Sequence, residues 1–118
     1  MDLSSLSTIR IAACDLNGQM RGKRLPADMA GKLGNGSARM PLSALNVDIW
    51  GRDIENSPLV FETGDADGIL MPTSRSAVPM PWLARETALV PMVMHNEDGS
   101  PFMGDPRNVL EHVLERYT

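Results

Sequence analysis

The acidic segment Gly64-Asp65-Ala66-Asp67-Gly68 is where residue type and spacing most suggest chemistry in this 118-residue chain. Asp-x-Asp-Gly can open a calcium loop, in which alternate carboxylates converge on one hard cation. The later ligands, the bidentate Glu and the flanking helices of an EF-hand are missing, so a turn closed by Asx hydrogen bonds is the better reading. The other donors are scattered. Cys14, the single cysteine, lies between Ala12-Ala13 and Asp15 and reads as a buried structural thiol. With His95 and His112 as the two histidines, no Cys/His metal set is available. Neither G-x-G-x-x-G nor G-x-x-x-x-G-K-[ST] occurs, and no Ser/His/Asp set has motif support. Residue chemistry alone therefore gives no catalytic residue, no cofactor-binding residue and no metal ligand in this segment.

The bulk numbers narrow the class. Net charge is −4 with both signs interspersed, so no basic stripe tracks a phosphate backbone and nucleic acid is not an expected partner. The densest basic group, Arg21, Lys23 and Arg24, alternates as residues on a half-exposed strand do. No apolar run is long enough to span a bilayer, and MDLSSLST has no signal-peptide core. With one cysteine and no disulfide, the expectation is a soluble cytoplasmic protein with no membrane partner. Length fits a single domain spanning residues 1–118, with residues 1–7 expected to be flexible. The nine methionines read mainly as core filling.

The elements follow from local pattern. Thr8 to Cys14 alternates as a strand, Asn17-Gly18 is a hairpin-turn signal, and Gln19 to Leu25 returns as a second strand. Pro26 opens a short helix over Ala27–Leu33, with Met29 and Leu33 sharing a face and Gly34-Asn35-Gly36 ending it. Met40 to Leu45 reads as a short strand entering a packed loop, and Asp53 to Gly68 as a polar middle. Ile69 to Pro72 is a further short strand, and Val78 to Trp82, alternating with proline, an edge strand or connector. Thr87 to His95 is the most apolar run and reads as a buried strand, with Pro91 marking an edge or a bulge. Asp105 is the N-cap and Pro106 the first residue of a final helix. Val109, Leu110, Val113, Leu114 and Tyr117 form its apolar stripe, opposite Arg107, Asn108, Glu111, Glu115 and Arg116. This order predicts an α+β fold, a β-grasp-like mixed sheet packed on a helix.

Several segments, taken in order, resemble the glutamine synthetase superfamily. They are CDLNGQMRGKRLP, MPLSAL…IWG, GDADGILMP, Pro81-Trp82, HNEDGSPF and DPRNVLEHVLERY. Each is short, but their order and spacing are specific and cover the chain from about Thr8. The resemblance implies an N-terminal β-grasp domain, with a catalytic barrel following it and absent from this chain. It implies partners too: that barrel and the neighbouring subunits of a homo-oligomer. In such enzymes the barrel holds Mg or Mn and ATP, ATP phosphorylates the γ-carboxylate of glutamate, and an amine displaces the phosphate. This segment is expected to bind no cofactor itself and to be inactive alone.

The resemblance also implies that one loop of this domain, here Met40 to Trp50, enters the active site of a neighbouring subunit. Glutamine synthetases typically read F-D-G-S-S there, the Asp binding and deprotonating ammonium; this chain reads Met40-Pro41-Leu42-Ser43-Ala44. Pro41 thus replaces a carboxylate and can neither accept a proton nor hold ammonium. The M-P-x-S form is similar to the γ-glutamylpolyamine or γ-glutamylamine synthetase branch, in which a bulkier amine is the substrate. Asp48 is either a counter-charge for a second amino group or a solvated loop residue. Trp50 either lines the substrate entrance or anchors the loop, and Ser43 makes either an interface contact or a turn hydrogen bond. Arg21 and Lys23 are either oligomer contacts or solvent-exposed. Two further readings stay open: a true glutamine synthetase with an atypical loop, and a free-standing ubiquitin-like binding module.

Overall fold

The computed structural model describes residues 3–62 and 64–117. Six strands form one mixed sheet: β1 (Thr8–Cys14), β2 (Met20–Pro26), β3 (Ala38–Pro41), β4 (Asp67–Pro72), β5 (Val78–Pro79) and β6 (Thr87–His95), in the order β2-β1-β6-β4-β3 with β5 also on β6. β1 runs parallel to β6 and the other pairs are antiparallel. The α+β, β-grasp-like expectation is met, with the sheet packed against several short helices.

The β1–β2 hairpin pairs Thr8 with Pro26 through Cys14 with Met20, as the Asn-Gly signal requires. Its turn is longer than that signal implies. Asp15 N–H donates to Gln19 O and Gly18 N–H to Asp15 O, and Gly18 alone takes positive φ (80°). This is the three-residue loop, a type I turn closed by a glycine in the left-handed region.

Two expectations are corrected by the sheet. β6 is central, not an edge, although it contains Pro91. Pro91 O accepts from Thr73 N–H, so the missing Pro91 N–H falls on that same side. There β4 has already ended opposite Met92 and β5 begins only opposite Leu89, so no ladder bond is lost. The short helix after β2 is a 3-10 helix, Ala27–Asn35. Three residues per turn put Ala27, Ala30 and Leu33 on the core side in place of the Met29/Leu33 pair, and internal Gly31 and Gly34 disfavour the α form.

The core lies between one face of the sheet and these short elements. Ile9, Ile11 and Ala13 of β1, Val90, Met92 and Met94 of β6, Leu70 of β4 and Met40 of β3 pack with Leu33, Leu45 and Phe102. Removing a large apolar side chain from water stabilises the fold by roughly 1.5–3 kcal/mol each, so this cluster sets the position of everything else. Leu3, the first residue of the 3-10 turn Leu3–Ser5, and Leu6 pack on its margin. The polar middle contains a one-turn helix, α1 (Pro58–Phe61), after Ser57. Its Leu59 also packs on the core.

The last helix, α2 (Pro106–Leu114), is capped as its sequence predicts, Asp105 Oδ1 accepting from Arg107 N–H at 2.9 Å. Arg107, Glu111, Glu115 and Arg116 face solvent as expected, but two expectations for this helix are corrected. Asn108, assigned to solvent, is buried and donates to Met94 O and Phe102 O. The stripe Val109, Leu110, Val113, Leu114 and Tyr117 is exposed.

Candidate functional site

Two consecutive turns follow β3. Pro41 ends β3 opposite Asp67 and leads into a 3-10 turn, Leu42–Leu45. Ser43 is buried in that turn and its hydroxyl donates to Asp65 Oδ1 at 2.5 Å. Asp65 itself sits at φ 57° in a bend held to Ser43, while Asp67 and Gly68, expected in the same turn, already belong to β4. Leu45 is fully buried and pins the end of this turn in the core.

The chain then leaves the core and returns through a small closed loop, with Val47 bridged to Asp53. Asp48 N–H donates to Arg52 O and Gly51 N–H to Asp48 O. Asp48 Oδ1 accepts from the amides of Trp50 (2.9 Å) and Arg52 (3.0 Å). A carboxylate bonded to successive amides of its own turn makes that turn stiff. At the tip Ile49 is 72% and Trp50 79% exposed. The Trp50 ring therefore does not anchor the loop; Asp48 and the hairpin beside it do.

That hairpin contributes residues the sequence reading passed over. Asp15 is 1% exposed. Its Oδ1 accepts from the amides of Asn17 (2.8 Å) and Gln19 (2.9 Å), and its Oδ2 from Arg21 Nε (2.9 Å). Burial alone would raise the Asp15 pKa, but the Gln19 amide, the Arg21 guanidinium and the Asn17 amide together hold it below the ordinary carboxylate value. Asn17 Nδ2 donates across to Val47 O (3.0 Å) and Asp48 O (3.1 Å). Leu16 N–H donates to Leu45 O at 3.0 Å. Arg21 lies against Gly51, which has φ 79°; a methyl there would stand 3.2 Å from Arg21 Nη2. In sequence only the Asn17-Gly18 turn signal is visible, with Asp15 two residues before Asn17; the clasp itself depends on the register that sets Arg21 opposite Ala13 and on Asn17 meeting Val47 and Asp48.

Of the four substrate-loop candidates, Asp48 and Trp50 share one turn, while Pro41 and Ser43 face the Asp65–Asp67 segment. Among the described residues no group of three or more His, Cys, Asp or Glu is placed to hold a metal ion. No helix among the described residues is long and apolar enough to cross a membrane.

No family model matches the chain. Solved structures do. A glutamine synthase homolog aligns with TM-score 0.81 and 22% identity over 95% of this chain and 26% of its own, a likeness of fold. GmaS in complex with ADP aligns with TM-score 0.71 and 26% identity over 98% of this chain and 25% of that one. GmaS without ligand gives TM-score 0.72 and 27% identity over 96% and 24%. Fold and sequence define the chain as a glutamine synthetase-like domain. In sequence it is 33% identical over 108 residues to gamma-glutamylputrescine synthetase PuuA of Escherichia coli (strain K12), covering 92% of this chain and 23% of that protein. The chain spans about a quarter of the length of these relatives.

Proposed function

We propose that this chain is the N-terminal domain of a cytoplasmic, ATP-dependent glutamate–amine ligase of the γ-glutamylpolyamine synthetase type. In this reading it lends the Met40–Trp50 loop to the active site of a neighbouring subunit. The observation that carries the reading is the 33% identity to gamma-glutamylputrescine synthetase across 108 residues. The loop supports it: a stiff turn that projects Ile49 and Trp50 into solvent is built to meet something outside this domain.

The chemistry assigned to the loop is recognition. An amine must lose a proton before its nitrogen can attack an activated acyl carbon, and Pro41 cannot take that proton. The base therefore lies elsewhere, and the loop shapes the space around the alkyl part of the amine. The Trp50 ring face attracts an organic cation, and Oδ2 of Asp48, which neither loop amide uses, supplies counter-charge for a second amino group. In this reading Mg or Mn, ATP and the glutamate contacts belong to the barrel. The barrel and the neighbouring subunits are the partners, and the uncovered α2 stripe and the Trp50 tip are the faces they would meet.

Substrate profiling of the full-length protein tests the assignment. Amide formation from glutamate should be faster with putrescine or a related amine than with ammonium at equal concentration. Efficient use of ammonium with no use of alkyl amines would instead identify a glutamate–ammonia ligase.

A further inference from the structure

The Val47–Arg52 turn closes on itself, but its own hydrogen bonds do not fix its direction relative to the sheet. The β1–β2 hairpin does. Asn17 reaches the turn at two carbonyls, Val47 O and Asp48 O, and Arg21 lies against it at Gly51. Both arms start from one buried group, since Asp15 Oδ1 holds the Asn17 amide and Asp15 Oδ2 holds Arg21 Nε. Asp15 in turn sits at the end of β1, whose Ile9 and Ile11 are fully buried. Charge-assisted bonds to the Asp15 carboxylate thus hold Asn17 and Arg21 to the rigid core, and two neutral amide-to-carbonyl bonds from Asn17, with Arg21 packed beside Gly51, carry the connection to the base of the Trp50 tip.

We propose that Asp15, Asn17 and Arg21 are positioning residues that set amine selectivity by fixing the direction in which the Val47–Arg52 turn presents Trp50. This deepens the reading above and rests on it, because it requires the loop to meet an amine. The physical need is plain. An indole face attracts an organic ammonium only within about 6 Å of the ring centroid. A displacement of about 1 Å at a positioning group can change rates on the order of 100-fold. A tryptophan on an unsupported, solvent-exposed turn would not keep that precision.

The test uses the full-length protein with Asn17→Ala, Arg21→Lys and Trp50→Ala, the KM of each substrate being measured separately. Asn17→Ala removes the two cross-loop bonds and leaves Asp15 and the turn glycine in place. We expect KM for the preferred amine to rise about tenfold or more, with KM for glutamate and kcat changed by less than about twofold. Amide hydrogen exchange in the 47–53 segment should accelerate, and the preference among amines of different length should flatten. Arg21→Lys keeps the charge toward Asp15 but loses the planar fork against Gly51, and should fall between. If Trp50→Ala raises the amine KM while Asn17→Ala does not, the clasp is overturned and the loop reading stands. If neither variant alters amine kinetics, the loop reading fails and this inference with it. Equal losses for all substrates, with faster exchange throughout the domain, would reduce the three residues to a structural role and overturn the proposal.

Discussion

Two buried aspartates each hold a segment that turns apolar side chains to solvent, and they do it differently. Asp105 is fully buried and accepts from Arg107 N–H through Oδ1 and from Met94 N–H through Oδ2 at 2.8 Å. It clips the first turn of α2 to the central strand at the point where β1 no longer covers β6. Asp15, 1% exposed, accepts from two backbone amides and from a cationic side chain, and steadies the Trp50 turn through Asn17 and Arg21. One carboxylate joins backbone to backbone. The other carries an ion pair at the surface, where Arg21 keeps 36% of its side-chain exposure. The contrast separates a clip that the fold needs from a clasp that orients a loop.

The contrast breaks first at Asp105. Asp105→Ala removes an N-cap and leaves a core amide, Met94 N–H, without its acceptor. Losing the cap costs about 1 kcal/mol and an unpaired buried donor about 1–3 more, so the domain should lose about 2–4 kcal/mol in urea unfolding. A loss near zero would mean that water or a backbone shift satisfies Met94, and that the clip is not required.

Asp15 should matter less at neutral pH, and in a pH-dependent way. Its folded-state pKa lies below the unfolded value, which is about 3.9. The unfolded chain therefore takes up this proton first as pH falls. The stability Asp15 contributes is fully present above that unfolded value and is lost as pH drops through the lower folded value. Asp15→Asn should cost about 1.5–3 kcal/mol at pH 7, and the gap to the parent should close as pH falls below about 4. A gap constant with pH would show that the charge on Asp15 does not take part in the clasp.

What could be read in advance divides along the same line. The strand expected over Met40 to Leu45 lies instead at Ala38–Pro41, with a 3-10 turn over Leu42–Leu45. The Asp105 cap and the β1–β2 hairpin were legible because their signals are local: a capping residue before proline, Asn-Gly, and alternation. The Asp15 clasp was not, because Asn17 meets Val47 and Asp48, which lie far along the chain, and only the folded sheet brings them together. The burial of Asn108 and the exposure of the apolar stripe escape the sequence for a related reason. Periodicity finds an apolar stripe but not what covers it, and the amide of Asn108 was worth more to the carbonyls of Met94 and Phe102 than to water. Pro91 misled because β6 changes neighbours at that residue, and Ser57-Pro58, a legible helix start, was passed over within a polar stretch. Of the loop, the departure at Pro41 was visible in sequence; the exposure of Trp50 was not.

The smallest effect on stability should come from the α2 stripe, and it separates the two exposed regions most cleanly. Val109, Leu110, Val113 and Leu114 of α2 and Tyr117 of the 3-10 turn that follows it are all at least 40% exposed, whereas the loop offers Ile49 and Trp50 at a narrow tip. A contiguous apolar face on a small domain drives association in proportion to the area it can bury, so the stripe should dominate. The 118-residue chain should therefore self-associate with rising concentration in sedimentation velocity. Leu110→Glu with Leu114→Glu should make it monomeric while unfolding free energy changes by no more than about 0.5 kcal/mol per site, because each side chain keeps more than half of its surface exposed. Trp50→Ser should leave the association unchanged. If Trp50→Ser dissolves the oligomer and the helix variant does not, the tip is the stickier surface, and the stiff turn beneath it serves contact between copies before it serves an amine.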